Sequence, residues 1–192
     1  MLFGSGGVPA TITGLQEYNN YIHGNMGFCY DTTNHLTHAT AFIFNDLNSQ
    51  VTWVSPLIFN NLLVNSDPSC GPANGLIVTV SNSGPGAGIY NNTLVGSGTG
   101  IAVTGTQIVK NNIFSGLDDG VVNLNGTIGA EDFNVLYNLL GRTNGAVMVD
   151  HNNGGFWSTV AGWIANTPWD HTSQTGLTSP SHRLPRFTTE RT

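Results

Sequence analysis

A repeat anchored on asparagine constrains this 192-residue chain more than any other feature. Five segments align: Tyr18-Asn19-Asn20-Tyr21-Ile22, Phe59-Asn60-Asn61-Leu62-Leu63, Tyr90-Asn91-Asn92-Thr93-Leu94, Lys110-Asn111-Asn112-Ile113-Phe114 and Asp132-Phe133-Asn134-Val135-Leu136. With Asn20, Asn61, Asn92, Asn112 and Asn134 as position zero, position +2 is always apolar (Ile22, Leu63, Leu94, Phe114, Leu136). Position +4 is always Gly or Asn (Gly24, Asn65, Gly96, Gly116, Asn138), and −3 is Ile58, Ile89 and Val109 in the central three. Gly and Asn fill about a quarter of the chain, so five hits in one column has odds of about one in a thousand. Apolar residues two apart belong to a strand with one buried face. Asn and Gly tolerate the left-handed backbone of sharp corners, and an Asn stacked on the Asn of the next coil can satisfy its amide in a ladder.

The intervals between anchors are 41, 31, 20 and 22 residues. Three strands of about five residues with corners of about two need roughly 21 residues per coil. The last two intervals are therefore single coils, and 31 is a coil with a loop. The first, 41, is either two coils or one with a long excursion. Coils stacked every ~4.8 Å make a parallel β-helix.

Composition agrees. Only 16 residues are charged, for a net charge of −6, and Lys110 is the only lysine. Three of the four arginines fall in the last ten residues, so phosphate neutralisation, and with it nucleic-acid binding, is excluded. No apolar run approaches a membrane span. The start, Met1-Leu2-Phe3-Gly4, lacks the charged and apolar regions of a signal peptide. It lies inside what reads as a repeat, so a trimmed piece with its export signal upstream is favoured over a cytoplasmic protein.

The stretch IYNNTLVGSGTGIAVTGTQIVKNNIFSG (89–116) resembles the right-handed parallel β-helix repeats of the pectin-lyase-like superfamily. EDFNVLYN (131–138) followed by FWSTVAGWIANTPWDHTS (156–173) resembles the segment after the last coils of secreted bacterial members. There a Trp helps seat a short helix over the end of the stack, before an Asp-His-Ser stretch. Here that stretch is Asp170-His171-Thr172-Ser173, with one residue inserted. The resemblance covers about residues 15–175 and implies an all-β, single-stranded right-handed parallel β-helix with a loop-rich C-terminal cap containing a short helix. Coils are expected over 1–138, the cap over 139–176, and an irregular tail over 177–192. The superfamily holds lyases, hydrolases, adhesins and proteins of other roles, so the resemblance leaves activity open.

Outward position −2 carries Tyr18, Phe59, Tyr90, Lys110 and Asp132. Three aromatics above a Lys and an Asp suit sugar stacking, with charges to hold hydroxyls or uronates. The alternative is an aromatic ladder that only stabilises the stack and ends in a Lys110–Asp132 pair. Asp118-Asp119 suits general-acid hydrolysis or Ca²⁺ coordination, and distantly resembles the Gly-Asp-Asp motif of the polygalacturonase-like branch; a solvated turn is the plainer reading. A lyase needs a strong base, and only Lys110 and Arg142 lie within the coils. The catalytic candidates are thus Lys110, Asp118, Asp119, Asp132 and Arg142, and the substrate-binding candidates Tyr18, Phe59 and Tyr90. His35-x-x-His38, Asp150-His151 and Asp170-His171 read as loop histidines, so no metal site is assigned and Ca²⁺ is the one cofactor with a rationale.

Cys29 and Cys70 each stand nine residues after an anchor, Asn20 and Asn61. On adjacent coils they lie ~5 Å apart, inside disulfide range; an intervening coil would separate them by ~9.6 Å. Adjacency and a Cys29–Cys70 disulfide are expected, in keeping with a monomer that is secreted or held at the cell surface. The expected partner is a polysaccharide, either cleaved by a lyase- or hydrolase-like site or bound by a non-catalytic adhesive module. An ice-binding solenoid is disfavoured, because Thr11-Ile12-Thr13 and Thr104-Gly105-Thr106 form no row.

Overall fold

A computed structural model describes residues 2–3, 10–24, 42–45, 51–65, 75–80, 87–96, 98–103, 106–123, 127–141, 145–150 and 154–175. Cys29, Cys70, His35, His38, Arg142, His151 and the tail from 177 onward lie outside these residues.

Strands recur in a fixed order. The first coil holds β1 (Leu2–Phe3), β2 (Ala10–Thr13), β3 (Gln16–Tyr18) and β4 (Tyr21–Gly24); the second holds β5 (Phe42–Asn45), β6 (Val51–Val54), β7 (Leu57–Phe59) and β8 (Leu62–Asn65). Three strands then serve for each coil: β9 (Gly75–Val80), β10 (Gly88–Tyr90) and β11 (Thr93–Gly96); β12 (Thr99–Val103), β13 (Thr106–Lys110) and β14 (Ile113–Ser115); β15 (Asp119–Asn123), β16 (Thr127–Asp132) and β17 (Val135–Tyr137). Beyond them come β18 (Met148–Asp150), β19 (Gly155–Trp157) and the only helix among the described residues, α1 (Val160–Asn166).

Each strand pairs in parallel with its counterpart one coil along, giving two five-stranded sheets, β16-β13-β10-β7-β3 and β17-β14-β11-β8-β4. A long sheet, β1-β5-β9-β12-β15-β18, is closed at its end by β19, whose pairing is antiparallel. The chain is all-β in parallel sheets, an arrangement compatible with the expected β-helix. The long sheet continues into β18, so the segment read as cap also supplies one further parallel strand.

The 41-residue interval is a single coil, since β3 pairs directly with β7 and β4 with β8. Its extra length holds a fourth strand that the count of three did not foresee. β2 pairs with β6, and an additional corner follows at Gly14 (φ 65°) and Ser55 (φ 51°).

Like residues stack on like residues in the core. Leu63, Leu94, Phe114 and Leu136 are in register along one sheet, Ile58, Ile89 and Val109 along the next, and Ile77, Ile101 and Val121 along the long sheet; all are buried. Each such side chain contributes about 1.5–3 kcal/mol relative to exposure. Gly96 is required where it stands: at φ 119°, a Cβ there would lie 1.6 Å from the Asn65 carbonyl oxygen of the coil before.

Every anchor Asn lies in the ladder. Asn20, Asn61, Asn92 and Asn112 each donate backbone N–H and Nδ2–H to the Oδ1 of the next anchor, at 2.9–3.3 Å. The second Nδ2 hydrogen of Asn61, Asn92, Asn112 and Asn134 goes to the backbone of the preceding coil, at Glu17, Ile58, Ile89 and Val109. Asp170 then takes the place of the next anchor, accepting from Asn134 Nδ2 at 3.0 Å. Above it sits α1, with Thr159 as N-cap accepting from the Gly162 N–H. Trp163, fully buried, packs against Trp157 and Trp169 and donates Nε1–H to Asp170 Oδ2.

Candidate functional site

The corner between the two five-stranded sheets gathers most of the residues singled out by sequence. The residue just before each anchor has a left-handed backbone: Asn19, Asn60, Asn91, Asn111 and Phe133, at φ of 54–58°. That turn throws its side chain outward, and all five are exposed. Asn accepts this backbone more readily than other non-glycine residues because its short amide bonds locally. The result is a ridge of four amides, one per coil, at the ~4.8 Å strand spacing. Sequence reading passed over it, although the Asn-Asn doublet was the signal: one Asn faces in and satisfies the ladder, the other faces out.

On one side of the ridge runs the −2 column. Tyr18, Phe59, Tyr90, Lys110 and Asp132 are register partners in succession. Tyr18 and Phe59 stack face to face, with centroids 4.9 Å apart and planes 6° from parallel. Those two rings cover each other and form a stabilising ladder. Tyr90 is different. Its ring lies back across Gly88, where a Cβ would come within 2.0 Å of the ring, so the ring occupies the space of the missing side chain. Gly88, two residues earlier on the same face, is the residue that permits this, and it too escaped notice in the sequence. On the other side of the ridge stand Tyr21, Leu62, Thr93, Ile113 and Val135, again in register. Tyr21 is 62% exposed and stacks on His23.

Lys110 and Asp132 are neighbours at the far end of the column. Lys110 Nζ sits 5.9 Å over the Phe133 ring, a cation–π distance. Asp132 Oδ1 accepts from the backbone N–H of Phe133 (2.9 Å) and of Thr172 (2.8 Å). Slight burial pushes its carboxyl up, but the side-chain and backbone hydrogen bonds of Thr172, that of Phe133 and the Lys110 charge prevail, and the group is held below the ordinary range. Asp132 thus fastens the cap to the last coil through one of its oxygens.

Asp118 and Asp119 lie elsewhere, beyond the opposite end of β14. Both are buried, 4% and 5% exposed. Asp118 Oδ2 accepts from the Gly98 N–H and Asp119 Oδ2 from the Thr99 hydroxyl, each one coil away at 3.2 Å. Burial pushes the Asp119 carboxyl up, the Thr99 hydrogen bond opposes this and the Asp118 charge adds to it, for a value of about 6. The acidic and basic candidates therefore form two separate pairs: Lys110 with Asp132 on the outer corner, and Asp118 with Asp119 within the opposite one. Among the described residues no three His, Cys, Asp or Glu side chains stand close enough together to hold a metal ion. No described helix is long and apolar enough to cross a membrane.

No family model matches the chain, and neither a curated protein nor a solved structure matches it.

Proposed function

We propose that this chain is a right-handed parallel β-helix of the pectin-lyase-like kind, exported to the cell surface or beyond, whose outer corner binds a polysaccharide without cleaving it. The observation that carries the reading is the Tyr90 ring laid over Gly88, beside the ridge of exposed amides. A flat aromatic ring takes the apolar face of a pyranose, and flanking amides both donate to and accept from its hydroxyls. The ridge repeats at a spacing close to one sugar unit of an extended glycan, so successive coils can meet successive sugars. Along this corner Lys110 and Asp132 balance, which suits a neutral chain better than a polyuronate.

A hydrolytic reading has one observation in its favour: the Asp119 carboxyl, raised to about 6, has the protonation behaviour of a general acid. Its burial argues the other way, because the acid must reach a glycosidic oxygen.

A panel of neutral and uronate polysaccharides tests the proposal by affinity electrophoresis, alongside assays for reducing ends and for unsaturated product. Retardation by a neutral glycan is expected, lost at least tenfold in Tyr90→Ala, with both product assays silent. Absence of retardation on every glycan sinks the binding reading. Reducing ends formed by the wild type but not by Asp119→Asn would replace it with the hydrolase.

A further inference from the structure

Glu131 occupies on β16 the inward position that Ile58, Ile89 and Val109 hold in the coils before it, with Val109 its register partner. It is 2% exposed, and neither of its carboxyl oxygens accepts a hydrogen bond from a protein donor. What it meets is Asp170. The Asp170 N–H donates to the Glu131 carbonyl at 2.9 Å, which brings the two acidic residues together, and the Asp170 charge acts on the Glu131 carboxyl. Asp170 is fully buried and its two oxygens already accept from Asn134 Nδ2, Ser173 Oγ and Trp163 Nε1. Asp170 is thus supplied with three donors, whereas Glu131 has none and becomes compatible with its site only by carrying a proton of its own.

We propose that Glu131 and Asp170 hold one proton between them, as a Glu131 O–H donating to the Asp170 carboxylate, and that this pair is a pH-operated latch seating the C-terminal cap on the last coil. When the proton leaves to solvent, two carboxylates face each other in a buried site, and the cap is the part free to move. The cap is held to the edge of β17 through Asn134 N–H to Ser173 Oγ, Gln174 N–H to Asn134 O and Leu136 N–H to Gln174 O, so opening bares that strand edge.

Among the described residues the surroundings offer no counter-charge. Asp132, next along β16, adds a further negative field. β13 presents Val109 toward Glu131, while the charge of Lys110 acts on Asp132 at the outer face. β17 contributes only exposed Tyr137 as a titratable group, and α1 has no ionisable side chain. In the cap, His171 is exposed and bonds through Nε2 to the Thr167 carbonyl. Burial first, and the adjoining Asp170 second, push the Glu131 carboxyl well above its usual range. The closed cap therefore binds more protons than the open one. Its stability is full below the open-state value near 4.5 and is lost as pH rises through the closed-state value.

The chain has only three glutamates, Glu17, Glu131 and Glu190, so carboxyl-¹³C glutamate labelling yields three signals. One signal is expected to remain protonated at pH values where the others have ionised, and to vanish in Glu131→Gln. Amide-exchange protection of residues 160–175 is then compared between the wild type and Glu131→Gln, whose neutral amide donates to Asp170 at every pH. The ratio of variant to wild-type protection is expected to grow by roughly tenfold per pH unit between the open- and closed-state values. Three glutamates titrating together in the wild type would overturn the proposal, whether or not the variant folds. So would equal protection in the two proteins across the series.

Discussion

The middle of the asparagine ladder and its last rung solve one problem by different chemistry. At Asn92 and Asn112 a buried amide meets another amide, each donating to the next Oδ1 and to a carbonyl of the coil behind, and no charge is involved. At Asn134 the repeat runs out. The anchor's backbone N–H goes to a serine hydroxyl and its side chain to a carboxylate, and that carboxylate draws in an indole, a hydroxyl and a second acid. A repeating polar column satisfies itself, because every unit is both donor and acceptor; its end cannot, and needs residues from outside the repeat. Along the ladder itself the uniform interior holds no titratable group, and the acids enter only at its last rung.

The largest expected effect breaks the interior rung. Asn112→Ala removes the acceptor of two Asn92 donors and the side chain's own bonds to the neighbouring coils, all in a buried column. Stranded buried donors cost about 1–3 kcal/mol each, so a loss of about 3–5 kcal/mol is expected in urea denaturation, with no change across pH 4–8. Asp170→Ala tests the end rung. It strands the donors of Asn134, Trp163 and Ser173 and the Glu131 O–H, but at the cap, which can yield and let solvent reach them, so a smaller loss of about 2–3 kcal/mol is expected, read from Trp163 fluorescence and urea midpoint. Equal losses at the two positions would dissolve the distinction between interior and end.

That distinction also governs what was legible beforehand. Positions +2 and −3, the anchors and the single-coil intervals of 20 and 22 residues were readable because a strand alternates every two residues and each coil repeats the pattern. The column Tyr18–Phe59–Tyr90–Lys110–Asp132 was readable for the same reason. Features that do not repeat were not. The fourth strands β2 and β6 turn on Gly14 and Ser55, two residues with no shared sequence signature. Asp170 joins the ladder 36 residues beyond Asn134, without an Asn to announce it. Glu131 stands at position −3, which is apolar in the three coils before it, and nothing in the repeat announces that an acid would fill that inward place. Asp118-Asp119 reads as a solvated turn, yet backbone and hydroxyl donors of the coil before draw both carboxylates out of solvent.

Acid titration sharpens the comparison further. Asp119 and Glu131 both have folded-state values raised above the ordinary range, so the folded chain binds more protons than the unfolded chain and stability falls as pH rises. For Asp119 this loss spans pH 3.8 to about 6. Asp132, held below its ordinary value, works in the opposite direction at lower pH. Urea midpoints are expected to decrease from pH 4 to 6, and the slope is expected to flatten in Asp119→Asn. An unchanged slope would assign the whole dependence to the terminal pair.

The smallest expected effect concerns the one corner that departs from its fellows. Four of the five left-handed corner positions are Asn, and the fifth is Phe133, at the last rung, with φ 58°. A left-handed residue with a bulky side chain carries a penalty of roughly 1–2 kcal/mol that Asn partly escapes. The Phe133 ring returns part of this through Lys110, at 5.9 Å and partly exposed, where such a contact contributes about 0.5–1 kcal/mol. Phe133→Asn should therefore stabilise slightly, by up to about 0.5 kcal/mol, and Lys110→Ala should matter in the wild type but not in that variant. If Phe133→Asn destabilises the chain, the ring has a function at the rim of the cap that outweighs its backbone strain, and the last corner is specialised in the same sense as the last rung.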